Sequence, residues 1–374
     1  MHDFDIAIIG AGVVGLSIAS RVARPGRNVV LLERHEGFGR ETSGRSSQVI
    51  HAGIYYTEGS LKARFCVEGN RLLYQICRDN NIPHSPIGKL IVAVTSGEEN
   101  RLPQLLERGR RNGAEGLEII SGSQMHNLEP NVQCRAALLA SSSGIVDAFS
   151  LMRYFEISAR GNGLQTAYRC EVKTIEKTAG GYRLGVMDSD GQLSYLKTNI
   201  LINSAGLECG NVAALAGIDI DRAGYRVNYC KGEFFRVGNG KQKLARRLIY
   251  PFPPRPGFVG IHTVPDLEGN MKLGPHDYFV PNIDYSVDET HKQHVYDSVK
   301  SFLPFINMQD LEPDTSGIHP KLQRPGEPMK DFVIVHESAR GLPGLINLIG
   351  IESPGLTSSP AIGIYVEKIV SDLL

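Results

Sequence analysis

A largely apolar run, Phe4–Ile9, interrupted by Asp5, stands near the start of the chain. A glycine turn follows, then apolar residues at helical spacing until Pro25-Gly26 stops them. A second apolar run, Asn28–Leu32, ends in Glu33. Two strands without polar alternation, flanking a helix, predict a strand–helix–strand unit in a parallel sheet buried on both faces. Leu61, Phe65, Leu72, Leu73 and Ile76 then fall on one face of a helix expected over Leu61–Asn80. Gly88–Val94 reads as a strand, Gly97–Gly113 as one polar, exposed helix, and Ala148–Ala159 as a helix. "YRCEVKTIEKT" and "YRLGVMD" alternate like a hairpin, and "LKTNILINSAGLECGNVAALAG" predicts a strand, a turn at Ala205-Gly206 and a short helix.

The second half changes character. Residues 225–280 carry strand-rich runs, "YRVNYCKGEFFRV", "RRLIYPFP" and "FVGIHTVPDLEGNMKLGP". Asp288–Leu303 is expected to be helical. "VIVHES" and "GLINLIGIESPGLTSSPAIGIYVEKIV" close the chain with a strand, a Gly/Ser/Thr loop and a helix. The fold class expected is α/β: a Rossmann-type nucleotide domain assembled from residues 1–84, 144–217 and 321–374, with a sheet-rich substrate domain from residues 85–143 and 218–320 inserted between them.

Gly10, Gly12 and Gly15 fit G-x-G-x-x-G at the junction of strand and helix. Gly10 makes the tight turn, Gly12 lets backbone approach a pyrophosphate, and Gly15 lets helix and strand close up. The helix N-terminus favours the phosphate charge, and Glu33, 23 residues after Gly10, suits ribose hydroxyls. After Glu33 an NAD domain continues with a helix and a third strand. This chain instead enters "RHEGFGRETSGRSSQ", a loop able to wrap a ligand extending past the pyrophosphate, which favours FAD.

Composition narrows the rest. Forty cationic side chains balance forty acidic ones, so no global field favours nucleic acid or an anionic membrane. The six cysteines contain no CxxC pair, which argues against a zinc site or a disulfide framework and for a reducing compartment. No apolar run reaches membrane-spanning length, and Ile6–Ala19 lacks the basic leader of a signal peptide. G-x-S-x-G, H-E-x-x-H and Walker A patterns are absent. His291 and His294 stand three apart without a third ligand, so no metal is expected and a solvated helix face is. Lys241, Lys243, Arg246 and Arg247 read as a solvated edge, with contact at a membrane surface as the alternative.

"RSSQVIHAGIYY" (45–56) is too polar for a core strand and too aromatic for a plain loop. Together with "IAIIGAGVVGLSIA", "SLKARFCVEGNRLLY", "GKLIVAV", "SGIVD", "KGEFF", "GIHTVPDLEGNMKLGP" and "GIESPGLTSSPAIG" it gives the chain a nearly end-to-end likeness. The chain resembles the glycine-oxidase/D-amino-acid-oxidase superfamily of FAD enzymes, and within it looks most like the L-2-hydroxyglutarate dehydrogenase (oxidase) branch.

The resemblance implies noncovalent FAD held by Gly10, Gly12, Val14, Gly15, Glu33, Arg34, Thr42, Ser43, Ser46, Ser47, His51, Ala52, Gly53, Val172, Ala205, Gly206, Gly350, Gly355, Leu356 and Thr357. It implies a substrate beside Tyr55, Tyr250, His319, Lys321 and Arg324, with Tyr56 near it. His51 or His262 is the expected proton acceptor. The plainer alternative for His51 is a core histidine bonded to a main-chain carbonyl. One departure stands out: where the family carries an arginine after the Gly-Ile or Gly-Val pair, this chain has His319. Imidazole lacks the bidentate fork that grips a carboxylate, so Lys321 or Arg324 is left to take over.

The resulting expectation is a cytoplasmic FAD enzyme, with or without peripheral contact at the membrane's cytoplasmic face, that oxidises a small L-2-hydroxy acid and passes electrons to oxygen or a quinone. Within the superfamily its rivals are an amine or amino-acid oxidase and a glycerol-3-phosphate dehydrogenase. Outside enzymology the rival is a flavin-binding module without turnover.

Overall fold

The computed structural model describes residues 2–253 and 259–374. At its centre lies a sheet, eight-stranded among the described residues, whose parallel core runs Leu164–Tyr168, Val29–Glu33, Phe4–Ile9, Leu193–Asn203, Leu345–Ile349. The apolar runs explain this placement. Ile6, Ile8 and Leu31 face one side, Ala7, Ile9, Val30 and Leu32 the other, and all are buried. Helices Val13–Val22, Leu61–Asp79, Ala148–Gly161 and Gly355–Ser371 cover the first side through Leu16, Phe65, Leu73, Leu151 and Val366. The hairpin Glu171–Thr178/Gly181–Met187 and the short helix Cys209–Leu215 cover the second.

Two four-stranded sheets carry most of the remaining strands. One runs His262–Pro265, Met271–Val280, Asn228–Val237, Leu311–Lys321 and is antiparallel throughout. The other runs Leu248–Pro251, Lys89–Ala93, Ala136–Ala140, Leu117–Ser121, with the first pair parallel. A small three-stranded sheet of Val49–Ile50, Gly144–Val146 and His84–Ser85 joins them to the nucleotide half.

Three expectations need correction. The helix expected over Gly97–Gly113 is two, Ser96–Glu99 and Leu102–Arg111. Pro103 fits only the first turn of a new helix, and Leu102, Leu105 and Gly109 are buried rather than exposed. The helix expected over Asp288–Leu303 is a 3₁₀ turn, Glu289–His291, and a helix, Lys292–Val299, which stops ahead of Pro304. The closing Gly/Ser/Thr loop is already helical from Gly355. Phe258, at the head of one expected strand run, lies outside the described residues.

Of the basic cluster, Lys241 binds Asp310 and the Phe305 carbonyl, and Arg247 binds the Ile87 carbonyl. Only Lys243 and Arg246 are exposed. No helix among the described residues is long and apolar enough to cross a membrane.

Candidate active site

Two cavities, of about 280 and 290 Å³, share Gly12, Thr42, Ser43, Ser204 and Gly206 as walls, so they form one long cleft. The glycine turn makes its waist. Gly10 sits at φ +103°, and a methyl group there would come within 2.7 Å of the Ser204 carbonyl. Gly12 caps helix Val13–Val22 without a side chain, and Ser43 Oγ accepts from the Val13 N–H at 3.0 Å. The outer chamber is walled by Glu33, Arg34, Val172, Ala205 and Glu208. Glu33 is held in place by the N–H groups of Ala11 (2.8 Å) and His35 (2.9 Å). Its second lone pairs remain for a ligand.

The loop after Glu33 runs along the cleft. Thr42 Oγ1 donates to the Ile318 carbonyl at 2.9 Å, tying the loop to the antiparallel sheet. Ser46 and Ser47 line the inner chamber, and Ser46 Oγ is buried with no hydrogen-bond partner.

At the inner end the sheets converge on His51, Tyr55, Tyr56, Tyr250, His262, His319 and Lys321. Thr357 positions His51: its hydroxyl accepts from the His51 N–H at 3.0 Å and donates to the Val49 carbonyl at 3.2 Å. Among the described residues the His51 ring meets no carbonyl. Nδ1 lies 3.3 Å from Lys89 Nζ, and Nε2 lies 3.4 Å from Ser353 Oγ. His262 stacks on Tyr250 with ring centroids 3.6 Å apart, and its Nδ1 is 2.8 Å from the Gly260 carbonyl. That bond puts the proton on Nδ1 and leaves Nε2 a lone pair. Burial, then the charge of Lys89, keeps His51 neutral far below the usual imidazole range, and burial pushes His262 down to about 3.

A buried ion network borders this end. Glu352 binds Lys62 and Lys321, each at 2.7 Å, and has His319 Nδ1 at 3.6 Å. Burial disfavours the Glu352 charge, yet Lys321 and Lys62 hold its pKa well below the usual carboxylate value. Nearby Asp277 has a buried, unpartnered Oδ1, and burial raises its pKa. Toward the mouth, Arg101 lies over Phe252 at 4.5 Å, with Gln104 and Arg108 beside it. Neither arginine has a carboxylate within 4 Å among the described residues.

Several expected site residues lie outside the walls of the two cavities. Arg324 is exposed, its N–H donating to Glu327, and it does not line the cleft. Gly15 packs its helix onto Gly10, and Gly350 packs on Leu322, so both act in the core. Ala52 is buried among apolar side chains, and the Gly53 carbonyl turns away to accept from Asn112. Thr357 reaches the site only through His51. The His291/His294 face is solvated in part: His294 is exposed, while His291 Nδ1 lies 2.6 Å from the buried Glu233 and His276 packs against both histidines. No metal-binding group occurs among the described residues.

Sequence reading passed over Lys62, Asp277, Glu352 and above all Lys89. Lys89 is 1% exposed and 4.0 Å from the Tyr250 ring centroid. Its signal was legible, a lysine one step inside the apolar strand "GKLIVAV".

A dinucleotide turn at the waist, a ribose-side carboxylate at one end and two neutral histidines at the other define a redox-cofactor enzyme. The chain belongs to the DAO family, FAD dependent oxidoreductase, whose model matches residues 5–369. It is 37% identical to the mitochondrial L-2-hydroxyglutarate dehydrogenase of Arabidopsis thaliana, over 97% of this chain and 82% of that one. The L-2-hydroxyglutarate dehydrogenase of Escherichia coli strain K12 is 27% identical, over 99% and 94%. Among solved structures it is similar to FAD-bound L-alpha-glycerophosphate oxidase from Mycoplasma pneumoniae (TM-score 0.86, 26% identity, 99% and 95% covered). Its fold also matches glycine oxidase from Geobacillus kaustophilus (TM-score 0.81, 19% identity, 100% and 96% covered).

FAD is the cofactor of this family, and the cleft fits it. The two chambers suit a ligand longer than NAD's nucleotide half, the glycine turn leaves no room for side chains, and Ser46 Oγ lacks a partner.

Proposed function

We propose that the chain oxidises a small L-2-hydroxy acid, of the L-2-hydroxyglutarate type, to the 2-oxo acid. The observation that carries this reading is the pair of histidines lining the inner chamber, His262 buried and His51 half-buried, both held toward the neutral form. A hydroxyl must lose its proton as hydride leaves the adjacent carbon, and an uncharged imidazole accepts one at neutral pH. A neutral amine has no such need. Bound FAD supplies the two-electron acceptor. His51 Nε2 takes the proton, while His262 Nε2 accepts a hydrogen bond that orients the substrate.

The cations fit a substrate with a carboxylate at each end. Lys321 stands beside Glu352 on the inner wall with the His319 ring next to it, and the guanidinium groups of Arg101 and Arg108 stand at the mouth. Arginine forks there replace the one missing at position 319. The relatives named L-2-hydroxyglutarate dehydrogenase support the same class. The electrons go on to oxygen or to a quinone. The quinone route brings the chain from the cytoplasm to the membrane's cytoplasmic face, toward which Lys243 and Arg246, the exposed members of their basic cluster, would turn.

The test is anaerobic bleaching of the yellow holoenzyme by a panel of hydroxy acids, amino acids and glycerol-3-phosphate. L-2-hydroxyglutarate should bleach it fastest, and His51→Ala should slow bleaching by roughly two to four powers of ten with FAD still bound. Bleaching by an amino acid or glycerol-3-phosphate alone overturns the substrate class. A protein that no donor bleaches is a binding module.

A further inference from the structure

Lys89 has no role in the chemistry so far, although nothing about it is ordinary for a lysine. Its ammonium site is buried among His51, Tyr55, Cys66, Tyr250 and His262. None of these is a carboxylate, and no ion pair reaches it among the described residues. Burial pushes the Cys66 thiol well up, so no thiolate supplies the missing charge. A lone buried ammonium is expensive, and a core position here would take leucine or methionine at lower cost.

We propose that Lys89 is the proton partner of His51, fixing its tautomer and receiving the proton that the ring takes from the substrate hydroxyl. This rests on the hydroxy-acid reading above. The substrate O–H bond breaks and an N–H bond forms at His51 Nε2. The Nδ1 proton crosses the 3.3 Å to the lone pair of the Lys89 amine, leaving the ring neutral. The electron pair on the substrate oxygen becomes the C=O bond as the C2 hydrogen departs as hydride to the family's FAD. Lys89 ends as an ammonium and returns its proton to solvent through the same ring after product leaves.

Geometry separates the two histidines. The Nδ1 of His262 faces the Gly260 carbonyl, which accepts a hydrogen bond but cannot take a proton away. His51 Nδ1 faces an amine, which can. Lys89 acts through His51 and does not line the cleft, so it is a positioning residue.

The direction of the pH effect follows. Burial lowers Lys89 to about 7, so about half of the amine is free at neutrality and nearly all of it in mild alkali. In acid the ammonium donates into Nδ1, which forces the proton of the neutral ring onto Nε2 and removes the base. Flavin reduction should therefore fall on the acid side of about pH 7.

The deciding experiment has two arms on the holoenzyme. In stopped-flow reduction by L-2-hydroxyglutarate, Lys89→Met should slow the reductive rate at least tenfold, leave KM within twofold and abolish the acid limb near pH 7. In the unmodified enzyme, ¹⁵N NMR of labelled histidine, with His51 assigned by His51→Gln, should give protonated Nδ1 and bare Nε2 at pH 8.5. The two should exchange by pH 5.5. A Lys89→Met enzyme with wild-type rate and limb, or a His51 ring protonated at Nε2 across the range, overturns the proposal. The NMR arm needs no substrate, so it decides Lys89 even if no hydroxy acid bleaches the flavin and the functional reading fails.

Discussion

Lys89→Met should make the folded protein more stable, against the usual direction for a core substitution. Methionine keeps the length of the chain and discards the ammonium. Folding drops the lysine from 10.5 to about 7. At about 1.4 kcal/mol per pH unit between those values, the charged form costs the fold about 5 kcal/mol where lysine is protonated in both states. The sign follows from where protons sit. Between about pH 7 and 10.5 the unfolded chain holds a proton that the folded chain has released, so wild-type stability climbs with pH across that window. Below about pH 7 the whole penalty is present. The methionine variant has no such window. Its advantage is therefore largest at pH 6 and shrinks by about 3 kcal/mol on going to pH 9. Urea unfolding of both holoenzymes, followed by far-UV circular dichroism at pH 6, 7.5 and 9, measures the difference directly. A variant less stable than wild type at pH 6, or a difference that does not change with pH, refutes the claim that an unpaired ammonium is buried there.

Two further outcomes follow from neighbouring charges. Glu352→Gln leaves Lys62 and Lys321 buried without their carboxylate. It should lower unfolding stability by about 3–5 kcal/mol at neutral pH. Because the folded pKa of Glu352 is depressed, its contribution is present above the ordinary carboxylate pKa and fades as pH falls through the folded value. Acid unfolding profiles of the two proteins should therefore converge toward low pH, and parallel profiles would contradict the network. At the mouth, Arg101→Gln with Arg108→Gln should raise KM for L-2-hydroxyglutarate at least tenfold while changing that for a monocarboxylic hydroxy acid less than threefold. Equal changes for both would remove the arginines from substrate recognition.

How far the sequence could be read depended on where each signal was local. Gly10, Gly12, Gly15 and Glu33 report on backbone a few residues away, so the nucleotide turn was legible without tertiary contacts. The grouping of His51, Tyr250, His262 and His319 came from likeness to a family, since no spacing along the chain brings strands 49–50, 248–251, 262–265 and 311–321 together. Gly53 and Thr357 were expected at the ligand but face the interior, because a turn or a helix start does not disclose which way its side chain or carbonyl points. Arg324 was expected as the replacement cation on proximity to His319 alone, yet the strand ends at Lys321 and carries Arg324 out to solvent. Lys89 was overlooked because a lysine at a strand start normally reaches water, and only the sheet packed over it shuts it in.

The order of the central sheet has a consequence for synthesis. Phe4–Ile9 pairs with Val29–Glu33 on one side, but its other neighbour is Leu193–Asn203, in register from Ile6 to Ile200. That strand in turn takes Leu345–Ile349, with Leu201 against Leu345. At about 5–20 residues per second, a ribosome needs on the order of ten to forty seconds after making the second strand before the third partner is available. Meanwhile a two-stranded apolar ribbon waits with both edges open, because Leu164–Tyr168, the outer partner of Val29–Glu33, is also made late. Such edges are templates for foreign strands. The stretch of nascent chain on either side of the glycine turn is therefore one that needs protection until those partners are made. Slowed translation before residue 203 should raise aggregation more than the same delay after residue 349.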